Sequence, residues 1–241
     1  MKRLIRKVLT KAVPEKVKRI FTQPLSIEIE LLKKQTICYA QEGEDLILET
    51  FFQNVGKGFY IDIGAYHPVR FSNTYLFYLK GWRGINIDAS PGSMDIFKTL
   101  RPEDINVEVA IGKDEKTLTY YMFDESALNG FSKEISEYRH NNTRYKIQQK
   151  IELPLKRLET VLNEHIPLNS TIHFMDIDVE GLDLDVLQSN NWNKYKPLMM
   201  LVETSLVSDG LGMDSPIHLF LSEKGYRLVA KTFRTSFYKL Q

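Results

Sequence analysis

The chain holds 241 residues, 43% of them hydrophobic and 26% charged, with 13 Gly and 9 Pro. This composition belongs to a globular chain with a sizeable core and excludes a disordered or collagen-like one. Cys38 is the sole cysteine, which excludes an internal disulfide framework and a multi-thiolate zinc site; the balance of 32 basic against 31 acidic residues leaves no footprint for a nucleic-acid partner.

Residues 1–19 carry eight basic side chains against Glu15 alone, a local +7 that leaves −6 on the rest of a chain of net charge +1. Leu4, Ile5, Val8, Leu9, Val13, Val17, Ile20 and Phe21 recur among these charges at near-helical spacing, with Pro14 as a break. The pattern predicts a basic helical arm over 1–38, with residues 1–21 suited to an anionic membrane surface. A solvated basic helix is the alternative. Charges interrupt the apolar runs too often for a secretory signal, and no run approaches the ~20 apolar residues of a spanning helix. The chain therefore reads as cytoplasmic, and as peripheral at a membrane surface if the arm engages one.

From residue 39 to 241 one domain is expected, in which short apolar runs alternate with helical patterns. Phe59–Ile63 reads as a buried strand with Gly64 at the turn, followed by a helix over 72–80 closed by Gly81. Gly84–Asp88 is the next strand, and Ser90-Pro91 predicts a helix with serine as its cap. Strands follow at 106–111 and 118–123. The polar stretch 124–150 reads as a lid or substrate loop with one short helix, and 155–162 as helical from the spacing of Leu155, Leu158, Val161 and Leu162. A strand at 172–177, a helix carrying Leu182, Val186 and Leu187, a central strand at 197–202, a helix near 216–224 and two late strands at 226–231 and 235–238 complete the series. Such alternation predicts an α/β fold with a mostly parallel sheet, helices on both faces and an antiparallel hairpin at one edge.

In an open parallel sheet the ligand sits beyond the carboxyl ends of the strands. Those ends carry Asp62 with Gly64, then Asp88, then Asp176, Asp178 and Glu180, then Glu203. Gly64 allows close backbone approach, and Asp88 can accept hydrogen bonds from both hydroxyls of a ribose. A dinucleotide would call for the full G-x-G-x-x-G turn, yet Gly64 is followed by Ala65-Tyr66-His67-Pro68. S-adenosylmethionine, which has no pyrophosphate, fits better than NAD. Asp178 and Glu203 could supply hard oxygen ligands to Mg²⁺ or a similar divalent metal, with Asp176 and Glu180 as further candidates, or serve as a base with its partner.

Tyr39-Ala-Gln41-Glu-Gly43-Glu44-Asp45, Gly58-Phe-Tyr-Ile-Asp62-Ile-Gly64-Ala65, Ser72-Asn73-Thr74, Gly81-Trp82-Arg83-Gly84 and Asp178-Val-Glu180-Gly181 occur in this order. The ordered set over about residues 39–204 resembles the FkbM-type S-adenosylmethionine-dependent methyltransferases. The resemblance implies a Rossmann-like class I methyltransferase fold and O-methylation of a sugar hydroxyl, on a nucleotide-linked sugar or a precursor in surface polysaccharide or glycolipid biosynthesis. It implies cofactor contacts from Gln41, Glu44, Asp62, Gly64 and Ala65, and further contacts from Ser72, Asn73, Asp88, Ala89 and Ala110. Catalytic roles fall to Asp178, Glu180, Glu203 and His67. Where many members have a second glycine in the cofactor turn this chain has His67-Pro68, and where members often carry lysine before the D-x-E-G segment it has Asp176. The lid residues Arg139, His140, Arg144, Tyr145 and Lys146 could grip a phosphate, with a solvated helix as the alternative. Competing readings are an NAD-dependent oxidoreductase and a membrane-peripheral interaction protein with a degenerate cofactor fold; a homo-oligomer is left open.

Overall fold

A computed structural model describes residues 35–204 and 215–241. The chain divides into two units, Met1–Ile37 and Cys38–Gln241, and the second holds both sheets and the helices packed on them. The expected basic arm lies outside the described residues.

A seven-stranded sheet is formed by β1 (Phe59–Ile63), β2 (Arg83–Asp88), β3 (Ile105–Glu108), β7 (Phe174–Ile177), β8 (Met199–Glu203), β9 (Tyr226–Lys231) and β10 (Thr235–Leu240), in the order β3-β2-β1-β7-β8-β10-β9. The first five run parallel, and β10 inserts antiparallel between β8 and β9. Strand order reverses between β1 and β7, so a crevice opens there at the carboxyl ends. This is the Rossmann-like sheet and edge hairpin that the alternating pattern predicts.

Both faces of the sheet are covered, which explains the near-continuous apolar runs of its strands. On one face Ile61, Ile63, Ile85, Ile87, Met175 and Ile177 pack with residues of α5 (Leu158–His165), α6 (Asp183–Ser189) and α7 (Pro216–Glu223). On the other, Tyr60 and Phe174 stack at 5.6 Å and meet Leu48 and Phe52 of α1 (Glu44–Phe52) and Phe77 of α2 (Tyr75–Leu79). The period of two along β1 and β7 then sets Asp62 opposite Asp176 in register, on the same face as Tyr60 and Phe174. Two carboxylates at the ends of adjacent buried strands thus follow from the alternation.

Three sequence expectations are corrected. The helix expected at Ser90-Pro91 begins later: α3 spans Ser93–Leu100 with Gly92 as cap. Asp88 accepts the Ser90 backbone N–H, and this holds Ser90-Pro91 in the turn instead. The strand expected over 106–111 is two, because after β3 the chain leaves the main sheet and β4 (Ala110–Ile111) joins a second, three-stranded sheet. Finally, 147–156 is a strand, β6 (Ile147–Lys156), paired antiparallel with β5 (Thr117–Phe123). Ile151, Leu153 and Leu155 alternate with charged or turn residues, so Leu155 belongs to this period-two pattern and the helix α5 starts at Leu158. Between β5 and β6 lie a 3₁₀ turn (Ser126–Leu128) and α4 (Lys133–Asn142), capped by the Ser132 hydroxyl on the Ile135 N–H. Among the described residues no helix is long and apolar enough to cross a membrane.

Candidate active site

A cavity of about 270 Å³ opens over the carboxyl ends of β1, β2, β7 and β8. Gly64 lies at its floor with φ +86°, and its N–H and that of Ala65 both donate to the Ile87 carbonyl. A Cβ on Gly64 would lie 1.7 Å from the Asp178 carbonyl oxygen. The turn is therefore pressed against the end of β7 with no room for a side chain.

Asp88 ends β2, buried, and accepts N–H bonds from Ser90 at 2.8 Å and Tyr66 at 3.1 Å. Burial raises its pKa, and the Ser90 and Tyr66 amides and the Ser93 hydroxyl oppose the rise. Its side chain lines the cavity, where a carboxylate can accept from the hydroxyls of a diol. Beyond it Ile87, Val109, Ile111 and Phe131 form an apolar wall, and Tyr120 of β5 shares a 2.7 Å hydrogen bond with Ser90, whose hydroxyl also accepts from Asn129. An acid beside an apolar slot, with further carboxylates in the same enclosure, suits a ligand that carries a diol, a flat base and a positive charge.

Those further carboxylates form two groups. Asp62 accepts the Thr74 hydroxyl at 2.6 Å and Asp176 accepts the Asn73 amide at 2.7 Å. Burial raises both pKa values; Arg101 and Thr74 oppose the rise at Asp62, while Asp62 itself adds to it at Asp176. The second group is Asp178, Glu180 and Glu203, which offer oxygens within 4.8 Å of one another. Asp178 lines the cavity and is exposed to solvent through it, with protein crowding its carboxyl group from behind. Burial, then Glu203 and Glu180, push its pKa well up. Burial and the Glu180 and Asp183 charges push Glu203 to about 7, against a hydrogen bond from Asp178 and the charge of Arg139. A carboxyl poised near neutrality suits proton transfer. Glu180 sits at φ +55°, a costly conformation for a residue with a side chain, and pairs with Arg139 of α4 at 2.8 Å.

Gln41, Asp62, Gly64, Ala65, Ser72, Asn73, Asp88, Ala89, Asp178, Glu180 and Glu203 all line this cavity, whereas Glu44, Ala110 and His67 do not. Glu44 is buried against the late hairpin, where it accepts the Thr232 and Thr235 hydroxyls. Alternation along β4 sends Ile111 into the cavity and leaves Ala110 off it. His67 Nδ1 accepts the N–H groups of Val69 and Arg70, which fixes its own loop, and burial lowers its pKa. Of the lid cations only Arg139 reaches the cavity. Tyr120, Asn129, Phe131 and Arg234 also line it, and sequence reasoning misses all four; a turn-forming Asn129-Gly130 dipeptide is the one local signal among them.

Fold and site together give an α/β domain with one cavity over the strand ends, lined by Asp88 and apolar side chains and by the carboxylates of Asp178, Glu180 and Glu203. Residues 62–228 match the methyltransferase FkbM domain, and the chain belongs to that family. No curated protein matches. The solved structures include a methyltransferase FkbM from Methylobacillus flagellatus KT, 11% identical with a TM-score of 0.46, in an alignment that covers 76% of this chain. This chain spans 44% of that protein's length.

Proposed function

We propose that the chain is an S-adenosylmethionine-dependent O-methyltransferase whose acceptor is a sugar hydroxyl, on a nucleotide-linked sugar or a glycan precursor. The observation that carries this reading is one enclosure holding Asp88 with its apolar wall at one end and the Asp178–Glu203 pair at the other. Asp88 would hold the ribose hydroxyls, Ile87, Val109, Ile111 and Phe131 the adenine, and Asp62 and Asp176 the cationic amino-acid end. The bound cofactor supplies a sulfonium methyl group for in-line displacement by the acceptor oxygen. Glu203, whose carboxylate lies within 4.8 Å of that of Asp178, takes the hydroxyl proton as the oxygen gains its new bond. Arg139 pairs with Glu180 and offsets its charge beside the Asp178–Glu203 pair, and Ser126 to Asn129 with Phe131 line the same cavity.

The grouping of Asp178, Glu180 and Glu203 also favours a second reading, a divalent cation that acidifies the acceptor hydroxyl. The NAD reading is weakened by the turn after β1, where the first helix starts only at Tyr75, so no helix N-terminus follows Gly64. The basic arm 1–21 remains our candidate for membrane contact, to be tested by vesicle co-sedimentation with and without it.

The test is methyl transfer from radiolabelled S-adenosylmethionine to a panel of free and nucleotide-linked sugars, with the product oxygen located by NMR. An O-methyl sugar is expected. Cofactor binding with transfer to nitrogen or carbon acceptors alone would overturn the proposal.

A further inference from the structure

Behind the cavity, and outside its lining, lies a fully buried arginine that the chemistry above leaves unused. Arg101 follows α3 and has no solvent exposure. Its Nε donates to Asp104 at 2.8 Å, Nη2 to the Tyr60 hydroxyl at 2.7 Å, and Nη1 to the Thr74 hydroxyl at 3.0 Å, with longer bonds to Ser72 and the Pro68 carbonyl. Asp104 is itself saturated by Tyr60, the Gly84 N–H and Asn86. An arginine needed only to neutralise Asp104 has no use for the third arm of its fork.

We propose that Arg101 is a positioning residue for the cofactor end of the site and acts through Thr74 to hold the Asp62 carboxylate. A hydroxyl has one proton; because the Thr74 hydroxyl accepts from Arg101, that proton is directed to an acceptor, and Asp62 lies 2.6 Å away. Arg101 also bonds Ser72, so it grips both ends of the Ser72-Asn73-Thr74 tripeptide whose middle residue donates to Asp176. One guanidinium thereby sets both acids of the β1–β7 pair. The charged groups that bear on Asp62 are Asp88 from β2, Asp176 from β7, Asp104 and Arg101; Arg101 is the only cation among them. The inference rests on the reading of Asp62 as a cofactor contact.

The test is calorimetric titration of the full chain and its Thr74→Val and Thr74→Ser variants with S-adenosylmethionine. Valine keeps the shape and removes the relay, whereas serine keeps the hydroxyl. Thr74→Val should weaken binding about 10-fold or more, as expected for a lost charge-assisted bond. Thr74→Ser should stay within about threefold, and kcat at saturating cofactor should change little in both because Asp178 and Glu203 are untouched. Arg101→Lys, which keeps the charge and loses the fork, should follow valine. If Thr74→Val fails to unfold cooperatively, Thr74→Ala set against Thr74→Ser makes the same comparison. Equal affinity of valine and wild type, or equal loss in valine and serine, would overturn the inference while leaving the proposed function intact. No binding by the wild type would overturn both.

Discussion

Gly64→Ala is expected to damage stability and turnover together, and the size of the effect follows from two separable terms. The left-handed φ of +86° costs a residue with a Cβ about 1–2 kcal/mol. The second term is steric. The added carbon would lie 1.7 Å from the Asp178 carbonyl oxygen, whereas carbon–oxygen contacts ordinarily lie at roughly 3.3 Å or more, so the two segments must part by about 1.6 Å. That carbonyl cannot swing aside freely, because the Asp178 N–H is tied to Ile63 at 2.9 Å. Overpacking of this kind adds about 1–3 kcal/mol or more. The sum, about 2–5 kcal/mol, corresponds to a fall in Tm of about 10 °C for a domain of this size. Since Asp178 moves with the strand end, a displacement of about 1 Å should also lower kcat/KM about 100-fold. Gly92→Ala is the internal control: φ is +79° there and nothing lies within 4 Å of a new Cβ, so only the first term applies, a fall of about 2–8 °C. Thermal unfolding and methyl-transfer rates on both variants decide the matter. A Gly64→Ala protein that melts within 2 °C of Gly92→Ala, roughly the resolution of such a comparison, would refute the reasoning.

Further outcomes follow from the acids. Asp88→Ala should raise the Kd for S-adenosylmethionine about 10-fold or more without a matching loss of Tm; equal affinity in a calorimetric titration would remove the ribose assignment. Glu203→Gln should lower kcat about 100-fold or more, and wild-type kcat/KM should fall as pH drops below about 7, where Glu203 takes up its proton. The same raised pKa fixes the sign for stability. The folded state holds its proton more tightly than the unfolded chain, so this contribution is full below the ordinary carboxylate range and is lost as pH rises through about 7. Glu203→Gln should therefore melt higher than wild type at pH 8 and draw level with it below the ordinary carboxylate range, and a destabilised variant at pH 8 would contradict this. Turnover that survives chelator unchanged would decide for the Glu203 base; loss in chelator restored by Mg²⁺ would decide for the cation.

What the sequence shows of the site depends on how local each signal is. Asp62, Gly64, Asp88 and Glu203 stand where an apolar run stops, so the strand reading alone puts them at the carboxyl rim. Ala110 reads as a pocket residue and lies off the cavity because the alternation there turns Val109 and Ile111 inward instead, in a stretch where the chain changes sheets and no local spacing announces the register. The lid reads as mostly loop because the alternation of Ile151, Leu153 and Leu155 merges with the helical spacing that follows. Tyr120 and Arg234 reach the cavity only through the pairing of β5 with β6 and of β10 with β8. Arg101 meets Tyr60 and Thr74 across long stretches of chain, and a lone arginine after a helix looks like any surface cation until the fold buries it.

The most direct measurement is isothermal titration of the full chain with S-adenosylmethionine and, in parallel, with NAD⁺. Saturable binding of S-adenosylmethionine at one site, with no heat from NAD⁺, is expected from Asp88, its apolar wall and a turn after Gly64 that leads into no helix. Binding of NAD⁺, or of neither ligand, would contradict the assignment of this cavity to a methyl donor.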